Sequence, residues 1–199
     1  MRILAVSDEE APYYYDFYTR GRLDEFDLIL SCGDLKREYL EFLVTMAHCP
    51  LVYVRGNHDD SFSQAPPEGC ICADGDLVEI DGVRILGLGG AFEYRKGDNM
   101  YSERAMNRRI RKLRRKLRKY GGFDILLTHA AARGVDDLGT PAHRGFECFC
   151  ELLDTYRPRY HIHGHIHLRY SHGIPRLMER NGTTVINACG SHVFDYEKS

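Results

Sequence analysis

Five short apolar runs, each stopping at a polar loop, constrain this chain more than any other feature. Ile3 to Val6 stops at Ser7-Asp8-Glu9-Glu10, Leu28 to Leu30 at Ser31-Cys32-Gly33-Asp34, and Leu51 to Val54 at Arg55-Gly56-Asn57-His58-Asp59. Ile125 to Leu127 stops at Thr128-His129, and Tyr160 to His163 at Gly164-His165-Ile166-His167. Runs this short and continuous predict strands buried on both faces. Covering helices are expected over Tyr13–Arg22, Arg37–Met46 and Gly145–Tyr156. Asp81-Gly82 and Asn181-Gly182 each separate two apolar stretches, the signal of a two-residue hairpin, and Leu168–Ser171 reads as a weaker strand. The pattern predicts an α/β protein, two sheets face to face with helices outside.

No internal repeat or Pro- or Ser-rich linker divides the 199 residues, so residues 1–199 are expected to form a single domain. A net charge of −2 argues against a globally basic nucleic-acid binder. No apolar run approaches the roughly 18 residues that cross a bilayer. The apolar start turns polar at Ser7-Asp8, too early for a signal-peptide core, and seven scattered cysteines argue against a disulfide framework. A cytoplasmic protein without a membrane partner is the expectation.

The strand ends collect carboxylates, an amide and imidazoles, with no thiolate among them. Loops at the carboxyl ends of strands in one sheet converge, so these side chains are expected to meet. Their donor chemistry suits Mn, Fe, Zn or Mg rather than a structural cysteine-based zinc site. Two divalent ions about 3.5–4 Å apart need a bridging carboxylate and several neutral ligands, which this set can supply.

In their order, Asp8-x-Glu10, Gly33-Asp34, Gly56-Asn57-His58-Asp59, His129 and Gly164-His165-x-His167 resemble the calcineurin-like metallophosphoesterase superfamily. The stretch from Asp137 through Pro141-Ala142-His143-Arg144-Gly145-Phe146 resembles its compact bacterial members. The resemblance implies a four-layer α/β-β/α sandwich, with two mixed sheets and helices on the outer faces. It also implies hydrolysis of a small phosphoester or nucleotide substrate, diesters slightly favoured over monoesters. One ion would be held by Asp8, position 10, Asp34 and His167, the other by Asp34, Asn57, His129 and His165, with Asp34 bridging. His58 would face the phosphoryl group and assist the leaving oxygen, and Asp59 could orient its ring. His143 and Arg144 are candidates to meet substrate at the rim.

One position departs from the family's Asp-x-His: here it is Glu10. Either Glu10 only solvates its loop and an ion is lost, or it ligates. In the second case Asp8, Glu10 and Asp34 give three negative charges against two divalent ions. That shifts the expected preference toward Mn²⁺ or Mg²⁺, with Fe and Zn as alternatives. A competing reading is a weak or inactive scaffold of this fold that binds a protein or nucleic-acid partner.

Outside the motifs, residues 104–119 hold ten Lys or Arg and no acid, leaving the remainder at −12. Met106, Ile110, Leu113 and Leu117 mark one helical face, and the cations occupy the others. Their like-charge repulsion is offset either by acidic parts of the same chain or by an anionic partner such as nucleic acid or an acidic protein. His161 and His163 are expected to be packed strand residues. The Cys70-x-Cys72 and Cys148-x-Cys150 pairs match zinc spacing poorly, and the Tyr13–Tyr18 aromatics are expected to pack rather than wall a pocket.

Overall fold

The computed structural model describes residues 1–135, 137–138, 140–169 and 175–197. In chain order the elements are β1 (Arg2–Ser7), β2 (Leu28–Ser31), α1 (Arg37–Ala47), β3 (Leu51–Tyr53), β4 (Ile71–Cys72), β5 (Asp76–Ile80), β6 (Val83–Leu88), β7 (Ala91–Phe92) and β8 (Met100–Tyr101). There follow α2 (Glu103–Tyr120), β9 (Ile125–Thr128), α3 (Glu147–Tyr156), β10 (Tyr160–His163), β11 (Leu177–Arg180), β12 (Thr183–Asn187) and β13 (Gly190–Asp195).

One sheet runs β13-β1-β2-β3-β4, parallel except for β13. The other runs β11-β12-β10-β9-β6-β5, a parallel centre with antiparallel strands at both edges. Side chains alternate along each central strand, which explains the continuous apolar runs. Ile3, Ala5, Leu28 and Leu30 meet Ile85, Ile125, Leu127 and Ile162 in the core between the sheets. The intervening Leu4, Val6, Ile29 and Leu51 pack on Tyr39, Leu40 and Leu43 of α1. On the far side, Leu86, Leu88 and Leu126 pack on Met106, Leu113 and Leu117 of α2 and on Phe149 and Leu153 of α3. Four layers result: helix, sheet, sheet, helices.

Both expected hairpins form. Asp81 and Gly82 have φ of 47° and 80°, Asn181 and Gly182 51° and 84°, the doubly positive pattern of a turn that suits twisted strands. The helix α2 begins at Ser102, whose hydroxyl accepts from the Ala105 amide (3.3 Å), and ends at Gly121 with φ 68°. Glu103 in its first turn also accepts from the amides of Glu147 and Cys148 (3.2 and 2.7 Å), capping α3, whose own N-cap Phe146 has no side-chain acceptor.

Two expectations need correction, and one strand was not foreseen. Residues 13–22 form successive turns, not a helix. The Arg22 guanidinium, lying 4.0 Å from the Tyr13 ring centroid, donates to the carbonyls of Tyr13 and Phe17, which removes them from a helical ladder. Tyr15 packs edge-on against Tyr39 and Phe42, so this part of the aromatic cluster belongs to the core. Leu168 and Arg169 lie in a turn rather than a strand, and the rest of that expected strand, 170–171, falls outside the described residues. The edge strand β13 was not foreseen, because Gly190-Ser191-His192-Val193-Phe194-Asp195 has no apolar run and is only half buried.

Candidate metal centre

The strands β1, β2 and β3 of one sheet and β9 and β10 of the other release their motif loops at one edge of the sandwich. The sequence placed these loops on one sheet; they come from two, and the centre straddles the inter-sheet seam. Hydrogen bonds cross that seam: His165 N–H donates to Asp8 Oδ2 (2.8 Å), and His129 Nδ1 meets the Cys32 carbonyl (2.8 Å). Asp8, Asp34 and His165 all have left-handed backbone (φ 63°, 56° and 66°), a conformation Asp and His tolerate better than most residues. The motif glycines permit close approach. A Cβ at Gly56 would lie 2.0 Å from Asp34 Oδ1, and one at Gly164 would lie 1.9 Å from Ser7 Oγ and 2.4 Å from Asp8 Oδ2.

Four expected ligands converge here. Asp34 Oδ2 is 3.3 Å from His129 Nε2, and Asn57 Oδ1 is 2.9 Å from the same nitrogen. Asp34, His129 and His165 offer ligand atoms within 4.8 Å of one another. Each histidine has its other nitrogen engaged by a backbone carbonyl, His129 Nδ1 on Cys32 and His165 Nε2 on Ala142 (2.7 Å). Such outer hydrogen bonds fix the tautomer and aim the remaining nitrogen at a cation.

The electrostatics fit a cation as well. Burial alone would lower the His129 imidazolium, but the Asp34 carboxylate beside it raises it to about 9. Burial would raise the Asp34 carboxyl, yet His129 and the amide of His58 bring it down to about 2. Burial, reinforced by the His129 charge, takes His165 down to about 3. The proton on His129 Nε2 thus sits among oxygen acceptors at the place a divalent ion would take. Asp34, Asn57, His129 and His165 would hold that ion, which suits a hard or borderline metal.

A pH dependence follows. A cation must displace the His129 proton, so apparent affinity should fall about tenfold for each pH unit below 9, through this group. Calorimetry at pH 7 in buffers of different ionisation enthalpy should register about one proton released per cation at this site. Without metal the pair stabilises the fold. The His129 part is complete below its ordinary 6.5 and is lost as pH rises through about 9; the Asp34 part is complete above 3.8 and is lost as pH falls through about 2.

The remaining expected ligands are arranged differently. The Glu10 carboxylate pairs with Lys36 Nζ (3.3 Å), an exposed contact worth about 1 kcal/mol or less. Asp8 uses Oδ2 on the His165 amide. His167 turns Nδ1 toward Glu9 Oε1 (3.4 Å) and the Cys189 thiol (4.0 Å), two residues not singled out from the sequence.

The His58 amide donates to Asp34 Oδ1 (2.7 Å), and its exposed ring meets Arg95 Nη2 at Nδ1 (3.4 Å). A guanidinium only donates, so Nδ1 accepts and the ring proton resides on Nε2. Asp59 does not orient this ring: its Oδ2 accepts from the amides of Gly56 and Asp34 (2.7 and 2.8 Å), tying the two loops together. Burial raises the Asp59 carboxyl to about 6, the nearby Asp34 charge reinforcing the shift.

His143 Nδ1 contacts Thr140 Oγ1 (2.9 Å), and its ring lies 5.2 Å from that of His165, at the rim. Arg144 lies over Phe92 (4.4 Å) and reaches Glu147 (3.8 Å), partners outside the centre. His161 and His163 are fully buried, with His161 Nε2 on Thr128 Oγ1 (2.9 Å), as packed strand residues should be. Cys70 and Cys72 lie at the edge of the first sheet, and Cys148 and Cys150 on α3 beyond the second, so the two pairs do not meet.

Asp34, His129 and His165 thus form a group that could hold a metal ion at the strand-end edge of a double-sheet sandwich. The chain belongs to the calcineurin-like phosphoesterase family, whose model matches residues 1–169. Members typically bind two divalent cations. One crystal structure superposes on 98% of this chain and 94% of its own with a TM-score of 0.68 at 13% identity. That of TT1561 from Thermus thermophilus covers 94% of this chain and 88% of its own, with a TM-score of 0.64 at 16% identity. At such identities both establish the fold alone. No curated protein matches the chain. No described helix is long and apolar enough to cross a membrane.

Proposed function

We propose that this protein hydrolyses phosphodiesters with two divalent cations, Mn²⁺ foremost at the Asp34 cluster. The observation behind the diester reading is a pair of cavities flanking the centre. One, of about 530 Å³, is lined by Asp34, Lys36, Arg37, His58 and Phe62. The other, of about 640 Å³, is lined by Glu9, Tyr13, Arg169, Arg176 and Cys189. A phosphodiester extends an ester arm on each side of phosphorus, whereas a monoester extends one. Oxygen and imidazole donors without sulfur around Asp34 favour Mn²⁺ over softer ions there.

When bound, the cations supply Lewis acidity and a water of lowered pKa. The protein's own groups do the rest. His58 carries its proton on the nitrogen facing away from Arg95, and that N–H is placed to donate a hydrogen bond to the leaving oxygen and stabilise its developing charge. Arg95 holds the ring, while Lys36 and Arg37 bring positive charge to the cavity that His58 lines. Asp59 keeps the Asp34 and Asn57 loops in register.

Nucleic acid is the extended substrate that the α2 surface favours. Among the described residues only Arg109, with Asp74, and Lys116, with Asp76, meet a carboxylate, leaving most of the ten cations facing solvent. The Arg109 side chain donates to the Gly89 carbonyl (2.7 Å) just past β6, and Arg84 near the start of β6 donates to Tyr120 (2.7 Å). The basic face therefore runs from the metal-bearing edge to the opposite one.

The test is hydrolysis of aryl phosphodiester and phosphomonoester probes with Mn²⁺, Mg²⁺, Zn²⁺ or chelator. Faster diester turnover with Mn²⁺, abolished by chelation and inhibited by an oligonucleotide less strongly as salt rises, is the expected outcome. Preference for the monoester overturns the diester assignment. Absence of turnover with every metal favours a binding scaffold.

A further inference from the structure

We propose that Glu9, His167 and Cys189 form a thiolate-containing cation site, and that this chain carries its second metal there rather than on Glu10. The proposal rests on the metallophosphoesterase reading only in taking His167 as a cation ligand. Three remote segments bring the donors together: the loop after β1, the loop after β10 and the residue beyond β12. Glu9 Oε1 lies 3.4 Å and Cys189 Sγ 4.0 Å from His167 Nδ1, and the three ligand atoms lie within 4.8 Å of one another. A tetrahedral ion with bonds of about 2.0–2.3 Å to oxygen, nitrogen and sulfur separates its ligands by about 3.3–3.6 Å. The two distances to His167 Nδ1 need contract by at most about 0.7 Å, and the Glu9–Cys189 distance by no more than about 1.5 Å, to close this set on a metal.

The surroundings hold the donors in place. Arg169 binds the other Glu9 oxygen, Oε2 (3.0 Å), so Oε1 is the one turned to His167. Fully buried Asn187 ties the two remaining loops, its amide donating to the Ile166 carbonyl (2.9 Å) and its carbonyl accepting from the Cys189 amide (3.0 Å). An isolated bridge between Ser7 and Cys189 brings the thiol beside the end of β1. Cys189 is only 5% exposed, yet it and Glu9 line the 640 Å³ cavity, so the fourth position of such an ion would face space open to a ligand. Three protein ligands and one open position is the pattern of a catalytic rather than a structural zinc site.

Donor softness separates the two sites. Thiolate, imidazole and carboxylate together prefer Zn²⁺, Co²⁺ or Fe²⁺ over Mn²⁺, whereas the Asp34 cluster contains no sulfur. The pair of sites would therefore hold two different metals, the softer ion on Cys189.

Cobalt titration of the metal-free full chain, without substrate, tests this. Thiolate coordination to Co²⁺ gives a near-ultraviolet charge-transfer band that oxygen and nitrogen ligands do not. The band is expected in the wild type, at one thiolate per protein, and should be lost in Cys189→Ser but kept in Cys72→Ser. In the wild type, Zn²⁺ should also protect Cys189 from alkylation, read by peptide mass, where Mn²⁺ does not. This second readout decides the matter if Cys189→Ser fails to fold. A band that persists in Cys189→Ser, cobalt bound at full occupancy without one, or equal alkylation with and without Zn²⁺ overturns the proposal. None of these readouts depends on turnover, so chelator-sensitive hydrolysis without a cobalt–thiolate band would reject this site and leave the hydrolase reading standing.

Discussion

Replacing Asp34 by alanine is expected to abolish cation binding at the inner cluster and hydrolysis together. Asp34 provides the charged oxygen of that cluster, 3.3 Å from His129, and its other oxygen accepts from the His58 amide (2.7 Å). Removing it takes the anionic donor from the cation and frees the loop that carries His58. Several kcal/mol of transition-state stabilisation leave with the metal, so the rate should fall by a factor on the order of 10³ or more. Metal analysis after gel filtration and turnover measured on the same sample check both effects. The isosteric Asp34→Asn variant separates charge from packing: it should retain the fold and still lose the ion. Full cation occupancy in Asp34→Asn would contradict the role given to this carboxylate.

The second large effect is expected at His58. Alanine there should leave both cations bound while turnover falls by a factor on the order of 10² to 10³, the usual contribution of one positioned hydrogen-bond donor. Its ring is exposed and oriented through Arg95 rather than through a metal, so metal affinity should change little. A hydrogen bond to the leaving oxygen matters least when that oxygen is already a weak base. The deficit of His58→Ala should therefore shrink across a series of aryl esters as the leaving group becomes more acidic. A deficit that is constant across the series would assign His58 to binding instead. Arg95→Ala should move the same dependence in the same direction but less far, as expected of a positioning residue.

Much of this centre was legible in the sequence because its parts lie where regular structure ends. Asp34, Asn57, His129 and His165 each follow a buried strand within a few residues, and parallel strands send their following loops to one edge. The hairpins at Asp81-Gly82 and Asn181-Gly182 were legible because few residue pairs tolerate two positive φ angles. Positions decided by packing across the seam were not. Cys189 sits beyond β12 with no metal-like spacing around it, and reaches Glu9 only because that segment bridges the end of β1. Arg95 lies 37 residues past His58 in a segment without a motif, and meets it through the fold of that loop. Glu10 occupies the ligand's position in the motif and pairs with Lys36, while its neighbour Glu9 is the residue turned to His167. Adjacent residues after a strand point in different directions, and the spacing alone does not say which one faces inward.

Anomalous diffraction from crystals grown with Mn²⁺, recorded on both sides of the manganese edge, locates the cation directly. A peak is expected among Asp34 Oδ, Asn57 Oδ1, His129 Nε2 and the free nitrogen of His165, with His129 still held by the Cys32 carbonyl. Manganese bound elsewhere, or no peak at this cluster in a protein that hydrolyses phosphoesters, would contradict the placement of the metal centre on which the hydrolase reading depends.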